Sequence, residues 1–142
     1  MARSLVYTSL LVPGYDEALA FFTQVLRWRV REDIWLSDSK RWVVVAPAGL
    51  EGEVEGESSG GALLLACAST PEQRSQIGRQ CGGRVGWFLH TDDLVADIAH
   101  MRAHGVHFTE TPRHEAYGRV VVFADPWGNR WDLIEPSPEP ST

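Results

Sequence analysis

The chain is predicted to be an α+β protein made of two copies of one βαβββ module, residues 4–68 and 83–136, and three observations predict it. Alternating apolar runs and one helical stripe follow each other in the order strand, helix, strand, strand, strand. From Gly83 the same order starts again. An offset of 79 lays Leu94 on Tyr15, Ile98 on Leu19, Ala99 on Ala20 and Met101 on Phe22, and it also lays Pro126 and Gly128 on Pro47 and Gly49. Coincidence of both the helical stripe and the P-x-G turn marks an internal repeat. A four-stranded sheet with one helix has one face covered; the other must be buried against a second copy or around a ligand.

Residues 4–12 read as the first strand. "PGYDE" then supplies a turn and acids for a first helical turn, and Tyr15, Ala18, Leu19, Phe22 and Leu26 recur at helical spacing. Strands near 28–36 and 41–47 flank the polar turn "SDSK", and "ALLLACA" gives a fourth. Between them, residues 49–61 hold five Gly and four Glu, a composition expected of a mobile surface loop. A polar connector covers about 70–83. In the second half "RVGWFLHT" is a strand and "DDLVADIAHMRAHG" a helix with Leu94, Ile98 and Met101 on one face and Gly105 as its stop. Strands near 106–111, 118–124 and 129–135 complete it. Residues 1–136 thus read as one domain of two modules, and the tail "PSPEPST", with 137–142, as disordered.

Composition narrows the function classes. With 142 residues, 44% hydrophobic and 23% charged, the chain can bury a core without staples. Its 13 Lys and Arg are scattered among 19 acids, giving a net charge of −6, which excludes nucleic acid as a partner because phosphate binding needs a clustered basic face. No apolar stretch approaches the ~20 residues of a membrane span, and "MARSLVYTSLLV" runs straight into a strand pattern, so a cytoplasmic protein is expected. Cys67 and Cys81 match no spaced metal motif and are read as reduced thiols.

Four stretches carry a family resemblance: "LLVPGYDEALAFFTQVL", "KRWVVVAPAG", "TDDLVADIAHMRAHGV" and "GRVVVFADPWGNRWDLIEP". Spread over residues 4 to 136, they resemble the vicinal oxygen chelate superfamily, which includes glyoxalase I, extradiol dioxygenases, fosfomycin-resistance enzymes and bleomycin-resistance proteins. The terminal "DPWGN" before an alternating strand is the most specific of them. The resemblance implies paired βαβββ modules whose sheets curl into a cup, usually in a homodimer. Metal-dependent members line that cup with a ligand from the first strand, one from the fifth and a Glu from the eighth. On this sequence those positions are Tyr7, Gly86 and Asp132. A phenol is a weak ligand at neutral pH and Gly offers no side chain, so neither the family's metal nor any other cofactor is expected.

Strand alternation selects the residues that could line such a cup. With Asp132 inward, Arg130 and Ile134 are inward too, while Trp131 and Leu133 pack under the helices. The inward rows of the first and fifth strands are Tyr7, Ser9, Leu11 and Gly86, Phe88, His90. Trp42, Arg119 and Phe123 join this set if their parity is the same, and Trp127 caps the rim. A one-residue slip would turn all of these over. Apolar walls with a few placed polar groups suit a small molecule. For Asp132, an inward ion pair with Arg130 or another Arg stands beside a ligand contact or a general base partnered by His90. His100 and His104, four apart on the second helix, read as a solvated face. Two functions follow: a metal-free binder of a small, partly aromatic or cationic molecule, or a lyase, isomerase, epimerase or dioxygenase type enzyme that uses Asp132 as base or partial metal ligand.

Overall fold

The computed structural model describes residues 1–49 and 61–138. The Glu- and Gly-rich segment 50–60 and residues 139–142, on which the loop and tail expectations fall, lie outside the described residues. The chain divides into two compact units, Met1–Ile77 and the part from Gly78 onward.

The first unit contains β1 (Tyr7–Val12), α1 (Tyr15–Ala20), β2 (Arg29–Trp35), β3 (Arg41–Ala46), β4 (Ala62–Cys67) and α2 (Pro71–Ser75). Its sheet has the order β1-β4-β3-β2, with β1 parallel to β4 and the remaining pairs antiparallel. After Ala20 the helix widens into a π-helical turn, Phe21–Val25, in which the Leu26 N–H reaches the Phe21 carbonyl. That turn buries Phe21 and Phe22, and the Phe22 ring packs 4.9 Å from Trp28. The predicted connector holds a short helix, α2. Its signal was in the sequence: Thr70 caps the Gln73 N–H at 3.1 Å, Pro71 opens the first turn, and the Gln73 side chain reaches back to the Ser69 N–H at 2.8 Å.

The second unit contains β5 (Val85–His90), α3 (Leu94–Ala103), β6 (Arg113–Glu115), β7 (Gly118–Ala124) and β8 (Arg130–Pro136), in the sheet order β5-β8-β7-β6. Asp93 caps α3 through the Ala96 N–H at 3.0 Å. One predicted strand is corrected. Residues 106–112 are not a strand; the edge strand is the three-residue β6. Pro112 has no N–H for a ladder, and the Glu110 carboxylate, not a strand backbone, accepts the Val122 N–H at 3.4 Å.

Side-chain contacts decide which face of each sheet the helix covers. Arg41 reaches Asp16 of α1 at 2.9 Å, so Arg41, Val43 and Val45 face the helix, while Trp42, Val44 and Ala46 point the other way. In the second sheet Glu135 accepts the first N–H of α3, from Leu94, at 2.9 Å, which puts Trp131, Leu133 and Glu135 on the helix side. Trp131 stacks there between Trp87, at 5.2 Å, and Phe123, at 5.7 Å. The far face of each sheet is the one that its helix does not cover.

Candidate functional site

The far face of the second sheet is built from three cross-strand rows. Phe88, Asp132 and Val122 form one, His90, Ile134, Val120 and Arg113 the next, and Arg130 and Ala124 the third. Asp132 is 7% exposed, yet its neighbour Phe88 is 65% exposed. The Oδ1 atom of Asp132 is buried and accepts no hydrogen bond among the described residues. Desolvation pushes its carboxyl above the ordinary value; Arg113 and Arg130 pull it down, and Glu110 pushes it up. The two Arg are therefore near enough to be felt and not near enough to pair: among the described residues Asp132 forms no ion pair, and no hydrogen bond joins it to His90, which is exposed. Arg113 is committed to Glu110 at 3.2 Å and Glu115 at 3.1 Å.

The turn before β8 fixes this strand in place. Asp125, 5% exposed, takes the Trp127 and Asn129 N–H groups on Oδ1 and the Asn129 amide and Trp131 indole on Oδ2, all between 2.8 and 3.1 Å. Its carboxyl is nevertheless raised, desolvation outweighing the four hydrogen bonds. Gly128 supplies the positive φ of 100° that this turn requires. Trp127 is half-buried, and its carbonyl packs so closely on Gly78, φ 77°, that a Cβ at 78 would collide with it. "DPWGN" is thus a lock on β8, and Asp132 inherits its position from it.

Two of the expected inward residues are corrected. Phe123 pairs with Trp131 and stacks on it, so it belongs to the helix side. Arg119 pairs with Glu135 and forms an ion pair with it at 2.9 Å beside the start of α3, so it too faces the helix. Alternation along β7 alone leaves this parity open, and pairing with β8 decides it.

The far face of the first sheet carries Tyr7, Ser9 and Leu11 on β1, with Trp42, Val44 and Ala46 on β3. Trp42 lies against Val44, Ala46 and Ala62, and Tyr7 meets its ring edge-on at 6.0 Å and 74°. Sequence reasoning missed a partner here: Glu32 of β2 accepts the Trp42 indole N–H at 2.7 Å. A bulge between Val30 and Glu32 shifts the strand by one residue, which hides Glu32 from simple alternation.

At the position of the family's second ligand, a Cβ on Gly86 would collide with the Cys81 thiol, so Cys81 fills the space that a ligating side chain would need. Among the described residues no three His, Cys, Asp or Glu side chains gather as a metal centre. The His100 and His104 rings lie 4.2 Å apart, and His104 Nδ1 donates to the His100 carbonyl at 2.9 Å, which spends one ring nitrogen on the helix itself.

The model of the Glyoxalase/Bleomycin resistance protein/Dioxygenase superfamily matches residues 4–133. The chain belongs to that superfamily. A protein of Shewanella frigidimarina (strain NCIMB 400), described as uncharacterized, is 44% identical over 136 residues, covering 95% of each chain. Among solved structures of related fold, UcmS2 has a TM-score of 0.75 and 26% identity, covering 95% of this chain and 99% of that one. TnmS3, an antibiotic binding protein from Streptomyces sp. CB03234, has a TM-score of 0.71 and 29% identity over 96% of this chain and 99% of its own. A glyoxalase/bleomycin resistance protein from the same Streptomyces is 26% identical, with a TM-score of 0.66. Two four-stranded mixed sheets agree with this superfamily fold. No helix among the described residues is long and apolar enough to cross a membrane.

Proposed function

We propose that this protein binds a small, partly aromatic or cationic molecule on the far faces of its sheets, without the metal of the superfamily's enzymes, and that its role is sequestration of a toxic compound such as an antibiotic. One observation carries the reading: a buried carboxylate oxygen of Asp132 with no partner among the described residues, beside the exposed ring of Phe88. Leaving such an acceptor unmatched costs about 1–3 kcal/mol, which a ligand's N–H or O–H would recover on binding. Phe88 supplies the apolar wall there, with His90 and Arg130 as further polar contacts and Trp127 at the turn; Tyr7 and Trp42 offer a separate aromatic face on the first sheet. The antibiotic-binding neighbour TnmS3 supports the substrate class.

The residues at the three superfamily ligand positions do not fit a metal. Tyr7 is engaged with Trp42, Gly86 is blocked by Cys81, and Asp132 alone cannot hold a transition ion in a defined geometry. The assembly we propose is a cytoplasmic homodimer, supported by the exposed apolar side chains Val30, Ile34 and Trp35 along the edge strand β2. The test is a tryptophan fluorescence titration against a panel of aromatic and cationic antibiotics. Saturable quenching by one of them, weakened at least about tenfold in Asp132→Asn, is expected. Equal binding by wild type and variant would remove Asp132 from the site.

A second reading is favoured by the raised carboxyl of Asp132: a general base for isomerase, lyase or epimerase chemistry works best when its pKa approaches the working pH. Turnover of a bound compound that Asp132→Asn abolishes, with the fold intact, would establish it over sequestration.

A further inference from the structure

We propose that Tyr7, Trp42 and Glu32 form a cation-accepting corner on the first sheet, which takes an alkylated ammonium group of the ligand. The inference rests on the small-molecule reading above and assigns one end of that ligand to one sheet.

The corner is held together by its own contacts. Trp42 is pressed along the sheet by Val44, Ala46 and Ala62, and its indole N–H is spent on Glu32 at 2.7 Å. That bond fixes the ring and sets the carboxylate at the ring's edge. Tyr7 then stands edge-on to the indole, at 74°, so the corner has two aromatic walls nearly at right angles and an anion beside them. Tyr7 is 36% exposed, so the corner is reachable within its own unit.

The charge on Glu32 is not neutralised from within. Among the described residues it forms no ion pair, and Arg41, which follows Lys40 into β3, is committed to Asp33 and Asp16 on the helix side. The indole bond occupies one oxygen of the carboxylate and leaves its negative charge in place. Aromatic faces carry negative potential, so ring faces and carboxylate attract the same kind of group. A methylated ammonium matches both: its charge suits Glu32 and its methyl groups suit the rings. The first sheet's far face therefore offers a cation site at Glu32, whereas the second sheet's offers an acceptor at Asp132.

The experiment uses choline and its uncharged isostere 3,3-dimethylbutanol as probes of the full chain, read by the indole N–H resonance of Trp42 in proton–nitrogen NMR. Saturable shifts with choline, at roughly tenfold higher affinity than the isostere, are expected. Glu32→Gln, which keeps an acceptor for the indole, should erase that preference while the resonance itself reports an intact fold; Asp132→Asn should leave it. Equal affinities, no saturable shift, or a preference that survives Glu32→Gln would overturn the proposal. A preference lost in Asp132→Asn instead would move the cation to the second sheet and leave the small-molecule reading standing. Failure of that reading shows separately, in the antibiotic titration.

Discussion

The two modules share one strand order and one offset, yet they differ in how the last strand is secured and in what their far faces offer. Aligned at 79, Asp125 falls on Ala46, Trp127 on Ala48, Phe88 on Ser9 and Gly86 on Tyr7. The second module spends a buried carboxylate on its turn; the first has only "APAG" there. The helices differ as well: α3 runs regularly, whereas α1 gives way to a π-helical turn that seats Phe21 and Phe22. Helix-side positions such as Leu10 and Leu89 match in kind because packing against a helix demands an apolar residue at a set parity. Far-face positions carry no such demand. The repeat has kept its apolar side and split the chemistry of the other into an aromatic corner with Glu32 and a charged face with Asp132.

The largest effect that would break this comparison is at the turn. Asp125→Ala leaves the Trp131 indole, the Asn129 amide and two backbone N–H groups without their acceptor, and should cost about 2–4 kcal/mol by denaturant unfolding. Ala46 at the matching place in the first module shows that the fold topology does not need this acid; a loss under about 0.5 kcal/mol would show that β8 does not need it either.

Next comes Gly86. Gly86→Ala forces a Cβ into Cys81 and should destabilise by roughly 1–3 kcal/mol. Combining it with Cys81→Gly should recover most of that loss, a coupling read from a double-mutant cycle. Purely additive effects would mean that the thiol does not fill the Gly86 position.

Asp132→Asn should have a smaller effect of opposite sign, a gain of about 1 kcal/mol near neutral pH, since it removes a buried charge that has no partner among the described residues. The pH dependence follows from the raised carboxyl. As pH falls through the folded-state value toward the ordinary 3.8, wild-type Asp132 takes up its proton in the folded state first. Wild type then gains stability relative to the variant, and the gap closes. A gap that widens on acidification would mean that Asp132 is stabilised as the anion.

Arg119→Met should do least. It removes a partly exposed ion pair with Glu135 and leaves ligand binding unchanged, because Arg119 faces the helix. The Glu135 carboxyl is lowered, first by the Leu94 N–H and then by Arg119, so its contribution is present above the ordinary 4.5 and is lost as pH falls through the folded value. In the variant that loss should be smaller and complete at a higher pH. Weaker ligand binding in Arg119→Met would contradict the placement of this residue.

Much of this was legible in the sequence. The repeat, helices α1 and α3 and seven of the strands follow from periodicity, and the parity of β8 and β5 follows from Trp131 and Leu133 needing a core. The edge strand of the second sheet was not legible, because Pro112 interrupts an otherwise strand-like run and a Glu110 side chain replaces the missing backbone partner. The face of Arg119 and Phe123 was not legible either, because it depends on register with β8. Glu32 was hidden by a bulge, which no alternation rule anticipates. The role of Asp125 is half legible: "DPWGN" marks the turn, but the four hydrogen bonds on its carboxylate depend on how the folded turn brings Trp127, Asn129 and Trp131 together.

The central claim is that the faces away from the helices take the ligand. Backbone amide shift mapping of the isotope-labelled protein, titrated with whichever antibiotic quenches its tryptophans, tests it most directly. Saturable shifts concentrated at Phe88, His90 and Asp132 on the second sheet, or at Tyr7, Glu32 and Trp42 on the first, are expected. Shifts centred on α1, α3 or the Trp87 and Trp131 stack, with these six residues unmoved, would contradict it.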